Sequence, residues 1–551
     1  MSQLNDPMTL PFPVRFEGVA RRDRRRRLVV VGSALVVALV VGALGAWHPL
    51  LSAASRQSAT IYGPSASSLD PAVQSDAGSA QVVAQLFESL TGIDSAAKVQ
   101  PALASSWDTA NGGKKVVFHL RSGLVFSDGS ALKASDVVYS WMRVLSPTSP
   151  SQLASLLDGV VGARAYRDGS GPKSAVGLRA TSDTDVEVDM SAAASDFPAI
   201  VSSPTLAIVP SGLDSNPQFL RPGSFVGSGA YVVSADDTSE TTLKANKRYW
   251  AGTPAIGTIH LVSSPGSNGI VDEFQAGNLD YTPISSGDAT WIAYDKVLGP
   301  SLRLEPSPSI EYYGFNTTKA PFNDVHVRRA FAAGINWSRV VALQSAPGVV
   351  SATGMVPVGV PNHGTGDFGT AFDLATAKSE LAAAGFPGGS GFPAVTLITS
   401  GGDNGQLEGA VIHQLHDNLG IDITFRAEGW TTYNDHLLSD PPAFWEMDWV
   451  ADYPGANDFL GLLLGTGQPN NFGRWSDASF DGAISEALSS TDAAAVQKAF
   501  DRAQSIVKDQ APVIPISYGS GYSLVAKGLL GALPNSQGLV RYAGLSWASG
   551  S

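Results

Sequence analysis

The sequence predicts an α/β protein, and three observations carry that prediction. Stretches with the two-residue period of strands alternate with stretches whose apolar residues return every three or four positions, in βα order. The chain has 551 residues, more than one hydrophobic core usually organises, so two or three domains are expected. Apolar residues make up 44% and charged residues 15%, which is a globular balance, and 58 Gly with 34 Pro imply many turns between short elements.

The chain begins with a separable segment. Residues 1–27 read as a basic tail ending in Arg24, Arg25, Arg26 and Arg27. Residues 28–47 follow as an unbroken apolar run, and about 20 such residues suffice to cross a bilayer as a helix, with the Arg cluster held on the cytoplasmic side. Ser52-Ala53-Ala54 leaves a cleaved signal peptide as the alternative. Residues 48–57 form a linker, and everything after it is exported. Residues 1–57 carry eight Arg against Asp6, Glu17 and Asp23, a net of +5, so the remainder holds −18 of a total of −13. Such an acidic body repels phosphates, and nucleic acid is not an expected partner. The absence of Cys excludes disulfides, thiolate metal sites, Cys nucleophiles and lipoprotein attachment.

In the exported body the most informative stretch is 116–143. Val116, Phe118 and Leu120 alternate with Val117, His119 and Arg121 as a strand with one buried face. Ser127-Asp128-Gly129-Ser130 supplies a turn, Asp136 falls in the first turn of the next helix, and Val138, Trp141 and Met142 form its apolar stripe. Residues 181–190 alternate as a strand, and Ile208-Val209-Pro210 ends another. Val226-Gly227-Ser228-Gly229 is a turn whose glycines permit positive φ. Phe274–Gly277 ends a helix and re-enters a strand. Tyr312–Asn316 is a strand, followed by a helix that carries Arg328 and Arg329, read as surface ion pairs. Residues 375–385 and 406–419 are helices, 395–398 and 421–425 strands, 493–508 a helix and 513–516 a buried strand.

The segment Phe118–Arg143 closely resembles the signature of family 5 extracellular solute-binding proteins, the oligopeptide- and dipeptide-binding subunits of ABC importers. Lys133 departs from it, standing where the family usually has a Thr cap. Leu69-Asp70-Pro71, Leu86–Leu90, Pro101–Trp107, Asn246–Trp250 and Ala320–Phe331 repeat the resemblance in register over about residues 58–547. It implies a periplasmic binding protein-like fold of three lobes with a hinged ligand cleft. Lobe I comprises 58–93, 203–298 and 518–551, lobe II 94–202 and lobe III 299–517. It also implies capture of a peptide by a monomer and delivery to ABC permease and ATPase subunits outside the cytoplasmic membrane. Relatives that hold nickel chelates, sugars or heme, and sensory proteins using the same fold, are the alternatives.

Trp449-Val450-Ala451-Asp452 is the strongest candidate site, because a strand ending in a carboxylate suits an extended ligand with a free amine. The resemblance makes Asp452 the ammonium partner and the backbone from Asp448 to Asp452 the pairing ladder; the competing reading of Asp452 is a cap on the turn before Tyr453-Pro454. Across the cleft it implicates Ser75, Asp76 and Ala77, with Asp76 either a contact or a solvated carboxylate. Trp430 and Trp449 are aromatic walls or core residues. No enzyme is expected: there is no Gly-x-Ser-x-Gly elbow or phosphate loop, and Gly364–Gly369 matches Gly-x-Gly-x-x-Gly without a preceding strand. His413 and His416 on one helix are read as solvated rather than metal-binding, and no cofactor is expected.

Overall fold

The computed structural model describes residues 56–549 apart from 64, 65, 75, 96, 149, 150, 238, 265–267 and 401–405. The expected helix over 28–47, the tail 1–27 and nearly all of the linker lie outside the described residues. Among the described residues no helix is long and apolar enough to cross a membrane. Residues 57–548 form one compact unit.

Eleven strands make one mixed sheet. They are β1 (Ser58–Tyr62), β2 (Tyr231–Asp236), β3 (Glu240–Ala245), β4 (Thr258–Val262), β5 (Tyr281–Pro283), β6 (Leu302–Phe315), β7 (Val350–Ser351), β8 (Val395–Ser400), β9 (Ile423–Glu428), β10 (Phe444–Val450) and β11 (Val513–Val525). Their order is β9-β8-β10-β6-β11-β5-β1-β4-β3-β2, with β7 on β11. The two longest strands, β6 and β11, are antiparallel and carry the sheet from one half to the other. Their register breaks between Pro306↔Ser520 and Ile310↔Tyr518. Pro306 and Pro308 explain the break, since neither has an N–H to give the ladder.

The second sheet is built from 104–110, 115–120, 185–189 and 178–180 in that order. Val116, Phe118 and Leu120 are buried as their alternation predicts. The helix Ala134–Val144 packs on the sheet through Trp141, whose ring meets Phe118 and Phe197 edge-on at 6.4 and 5.9 Å. The buried stripe is centred on Val137, Trp141 and Val144, and Val138 lies beside it, half-buried. Asp136 replaces the missing Thr cap: its Oδ2 accepts the Lys133 N–H at 2.8 Å, and its Oδ1 accepts the N–H and hydroxyl of Ser211.

Three further expectations change on folding. Ile208 and Val209 are buried but lie in irregular chain after the short turn Pro204–Leu206, not in a strand. Gly227 and Gly229 do not adopt positive φ; a Cβ on either would come within 2.3 and 2.5 Å of the carbonyls of Leu86 and Gln85, so close backbone approach is what requires glycine there. Arg328 is buried, not a surface ion pair, and its guanidinium donates to the carbonyls of Phe322 and Gln510, satisfying the end of the helix Ala493–Gln510. Arg329 donates to the Asp509 carbonyl and lies 3.8 Å from Glu380.

Distant motifs close on one another. Arg143, at the end of the signature helix, holds Asp70 through two hydrogen bonds of 2.9 and 2.6 Å, both side chains nearly buried. Glu88 is buried against Arg541 at 2.7 Å and accepts the Tyr249 hydroxyl. Arg143→Ala strands the Asp70 carboxylate, and a loss of about 3–5 kcal/mol in denaturant unfolding is expected. His119 stands between Asp185 (2.6 Å) and Asp108 (3.0 Å), whose hydrogen bonds raise its pKa against the opposing effect of burial. The stability that this charge contributes is complete below the unfolded-state pKa of about 6.5 and is lost as pH rises through the higher folded value. His119→Asn is therefore expected to lower the melting temperature more at pH 5.5 than at pH 8.5.

Candidate ligand-binding cleft

Strand β10 has one paired edge and one partly open edge. Its inner edge pairs with β6 from Phe315↔Phe444 to Ser309↔Val450. Its outer edge pairs with β8 only at Leu397↔Phe444 and Ile398↔Trp445. The Ala451 N–H donates to the Pro308 carbonyl, so the alternation of an antiparallel ladder turns the N–H and C=O of Val450 and Asp448 outward. The Val450 side chain is 60% exposed. The edge is closed at Glu446, whose carbonyl accepts the Tyr433 hydroxyl. Trp430, 55% exposed at the start of the helix Trp430–Ser439, lies 6.4 Å from the Tyr433 ring and so stands beside this edge.

The expected ladder from Asp448 to Asp452 is thus shorter than predicted. Ala451 gives its N–H to Pro308, and Asp452 gives its N–H to Asp458 Oδ2 at 3.1 Å, leaving Val450 and Asp448 as the outward groups. The Asp452 carboxyl receives none of the described hydrogen bonds and is exposed. The turn-capping role considered for it belongs to Asp458, which accepts the N–H groups of both Asp452 and Tyr453. Trp449 is half-buried against the core around Tyr312, Phe459 and Trp475, and its indole N–H donates to Asp458 Oδ1 at 2.6 Å.

The face of β10 beside the edge is acidic. Glu446 and Asp448 pair across the ladder with Tyr313 and Glu311. Burial pushes the Glu446 carboxyl up to about 9, with Asp448, Glu311 and Glu408 adding repulsion. Burial also raises Glu311, aided by Asp448 and opposed by hydrogen bonds from Ser517 and Gln344. Water reaches Asp448 and Asp452, but the surrounding protein removes enough bulk solvent to raise both. No ion pair among the described residues neutralises any of these groups.

The opposite set is arranged differently. Asp76 caps the helix Ala77–Leu86: burial favours its neutral form, but hydrogen bonds from Ser67, Ser79 and the Gly78 N–H outweigh that and hold its pKa low. Ala77 opens that helix, and Ser75 lies outside the described residues. None of the described hydrogen bonds or ion pairs joins residues 76 and 77 to residues 448–452. His416 pairs with Asp422 at 2.7 Å on an exposed helix, and no group of three His, Cys, Asp or Glu suited to a metal occurs among the described residues. Sequence reasoning missed Asp458, Glu446 and Glu311. The signals were present in the alternation of Glu446 and Asp448 along a strand, and in a lone Asp458 leading an apolar run to Leu464.

An α/β scaffold with a partly open strand edge followed by a carboxylate suits a solute-binding protein. The family of bacterial extracellular solute-binding proteins, family 5 Middle, matches residues 98–471, and the chain belongs to it. A probable deoxycholate-binding periplasmic protein of Escherichia coli is 30% identical over 82% of this chain and 85% of its own. The oligopeptide-binding protein of Bacillus subtilis is 26% identical over 82% of this chain and 85% of its own. Among solved structures, the unliganded open form of a periplasmic murein tripeptide binding protein superposes with a TM-score of 0.79 at 24% identity, covering 90% of this chain and 98% of its own. The Haemophilus influenzae oligopeptide-binding protein in complex with RPPGFSPFR gives 0.67 at 22%, covering 89% and 99%.

A carboxyl that is protonated when folded and ionised when unfolded costs stability as pH rises, here from about 4.5 toward about 9 for Glu446. Glu446→Gln removes that cost, so its melting temperature is expected to match the parent near pH 4 and exceed it increasingly up to pH 9. Parallel melting curves across that range would contradict the burial assigned to Glu446.

Proposed function

We propose that this protein captures peptides with a free amino terminus and delivers them to an ABC permease and its ATPase outside the cytoplasmic membrane. The observation that carries the proposal is the conjunction at the end of β10. Outward backbone groups at Asp448 and Val450 suit an extended ligand main chain, and the unpaired Asp452 carboxyl beyond them suits its ammonium. Val450 and Trp430 supply exposed apolar contact area, and Ala451 and Trp449 fix the strand. Residues 75–77 close on the ligand from lobe I, and Asp76 serves there as a helix cap. The lobes are divided as 58–93, 203–298 and 518–551 for lobe I, 94–202 for lobe II and 299–517 for lobe III. Strand β11 crosses from lobe III into lobe I, and the proline-broken register where β6 pairs with it, 306–310 against 518–520, serves as the hinge. The apolar run 28–47 anchors the chain or is cleaved on export, and the protein acts as a monomer without a cofactor.

The name of the Escherichia coli relative points to a bile-acid anion. Glu446, Asp448 and Asp452 on one wall offer an anion no positive charge and favour a ligand that brings its own.

Native mass spectrometry of the protein purified from its host without unfolding tests this function. Co-purified masses that fragment as peptides, and are lost in Asp452→Ala, are expected. Peptides retained by that variant would refute the assignment of Asp452, and a single non-peptide mass would refute peptide capture.

A further inference from the structure

The turn after β10 is held from lobe II as well as from within lobe III. Tyr453, next to Asp452, is 1% exposed and gives its hydroxyl to Asp196 Oδ2 at 2.5 Å. The Asn457 amide donates to the same oxygen at 3.1 Å and to the Tyr453 hydroxyl at 2.9 Å. That orientation leaves Asn457 Oδ1 buried without a hydrogen-bond partner, so the amide serves Asp196 at a cost. Asp196 precedes the short helix Phe197–Ile200, yet its side chain does not cap it. Beside it, the Ser195 N–H donates to the Leu488 carbonyl at 3.0 Å and the Ser195 hydroxyl to the Ala487 carbonyl at 3.4 Å, at the end of the helix Ala478–Ser489.

These contacts join two bodies that are otherwise built separately. Lobes I and II share one buried cluster, in which Leu90, Leu206 and Val226 pack with Phe118 and Trp141. The Trp141 indole N–H on the Leu206 carbonyl and the Arg143 pair with Asp70 tie the same two lobes. The buried clusters of lobe III draw their residues from 310–518, and the pairing of β6 with β11 connects it to lobe I. A rotation of lobe III at the 306–310 hinge therefore carries Tyr453, Asn457, Ala487 and Leu488 past Ser195 and Asp196. Hydrogen bonds reach only about 3 Å, so they do not survive such a motion. They are formed here while residues 76 and 77 of lobe I and 448–452 of lobe III share none of the described hydrogen bonds or ion pairs, which is an open arrangement of the cleft.

We propose that Asp196 is a positioning residue that latches lobe III in the open position through Tyr453 and Asn457, so that a ligand closes the cleft against this latch and the latch sets the affinity. This rests on the hinge and on the peptide capture proposed above. Hydrogen bonds present in the open form and absent from the closed one lower the closed population, and the apparent affinity falls by the same factor. Loosening the latch therefore tightens binding, the reverse of what damage to the fold or to the ligand contacts does. Asp196→Ala removes the acceptor of both bonds and leaves Tyr453 and Asn457 bonded to each other. Tyr453→Phe removes one of the two donors and keeps the ring.

The test combines affinity with a distance between the lobes. The chain has no Cys, so Lys247→Cys on lobe I and Asp417→Cys on lobe III, both exposed, carry spin labels at those two positions alone. The full chain is titrated with trialanine by calorimetry, and the distance between the labels is measured by pulsed electron spin resonance with and without the peptide. Asp196→Ala and Tyr453→Phe are each expected to bind trialanine about three- to tenfold tighter than the parent. Without ligand, both are expected to shift part of the distance distribution to the value of the saturated parent. Tyr453→Phe reads the same latch if circular dichroism shows that Asp196→Ala does not fold. Unchanged or weaker binding in the folded variants overturns the latch and leaves the hinge and the peptide reading in place. A distance that stays constant when the parent binds trialanine overturns the hinge and the latch together. Absence of trialanine binding counts against the peptide reading alone, and the ligand-free distances then decide the latch: a shift in the variants supports it, and no shift overturns it.

Discussion

The antiparallel pairing of β6 with β11 is the connection on which the large sheet depends. Through it, β8, β9 and β10 join β5, β1, β4, β3 and β2 in one hydrogen-bonded array. The pairing is continuous enough to bind the halves although its register breaks at Pro306 and Pro308, because each proline only removes a donor and the strand resumes at Ile310. The Pro308 carbonyl then takes the Ala451 N–H, so the break in β6 sets the position at which β10 ends and Asp452 begins.

The electrostatics of that region follow from the same geometry. A strand that leaves one edge open cannot bury its outer residues against a neighbour, and here Asp448, Val450 and Asp452 remain in contact with water. Inside the wall, Glu446 and Glu311 are desolvated with no ion pair to a cation among the described residues. The result is a surface of carboxylates held partly neutral by their surroundings, and a positively charged ligand group would relieve the repulsion among them. Asp458 extends the pattern into the core, where backbone and indole N–H groups meet both oxygens of its carboxyl while burial and the neighbouring Asp452 push its pKa up.

The residues that made the family legible are largely structural. Asp70 and Arg143 lie 73 positions apart and form a nearly buried bidentate pair. Glu88, Tyr249 and Arg541 form another such contact. Asp136 both caps a helix and fastens Ser211. These side chains pin the scaffold far from β10, and for that reason recognising them identified the class without defining the ligand.

The sequence by itself determined the local elements and their buried faces. The alternation at Val116, Phe118 and Leu120, the helix Ala493–Gln510 and the strand from Val513 all follow from periodicity and from the cost of exposing apolar surface, which act over a few residues. Asp452 was legible too, as a carboxylate at a strand end. Tertiary structure decided which hydrogen-bonding groups remain available there. It gave the Asp452 N–H to Asp458, left the carboxyl of Asp452 without a donor, buried Arg328 at the end of a helix 182 residues away and turned Asp76 into a cap. Hydrogen bonding and desolvation depend on which atoms meet in space, and that is fixed only when distant segments pack.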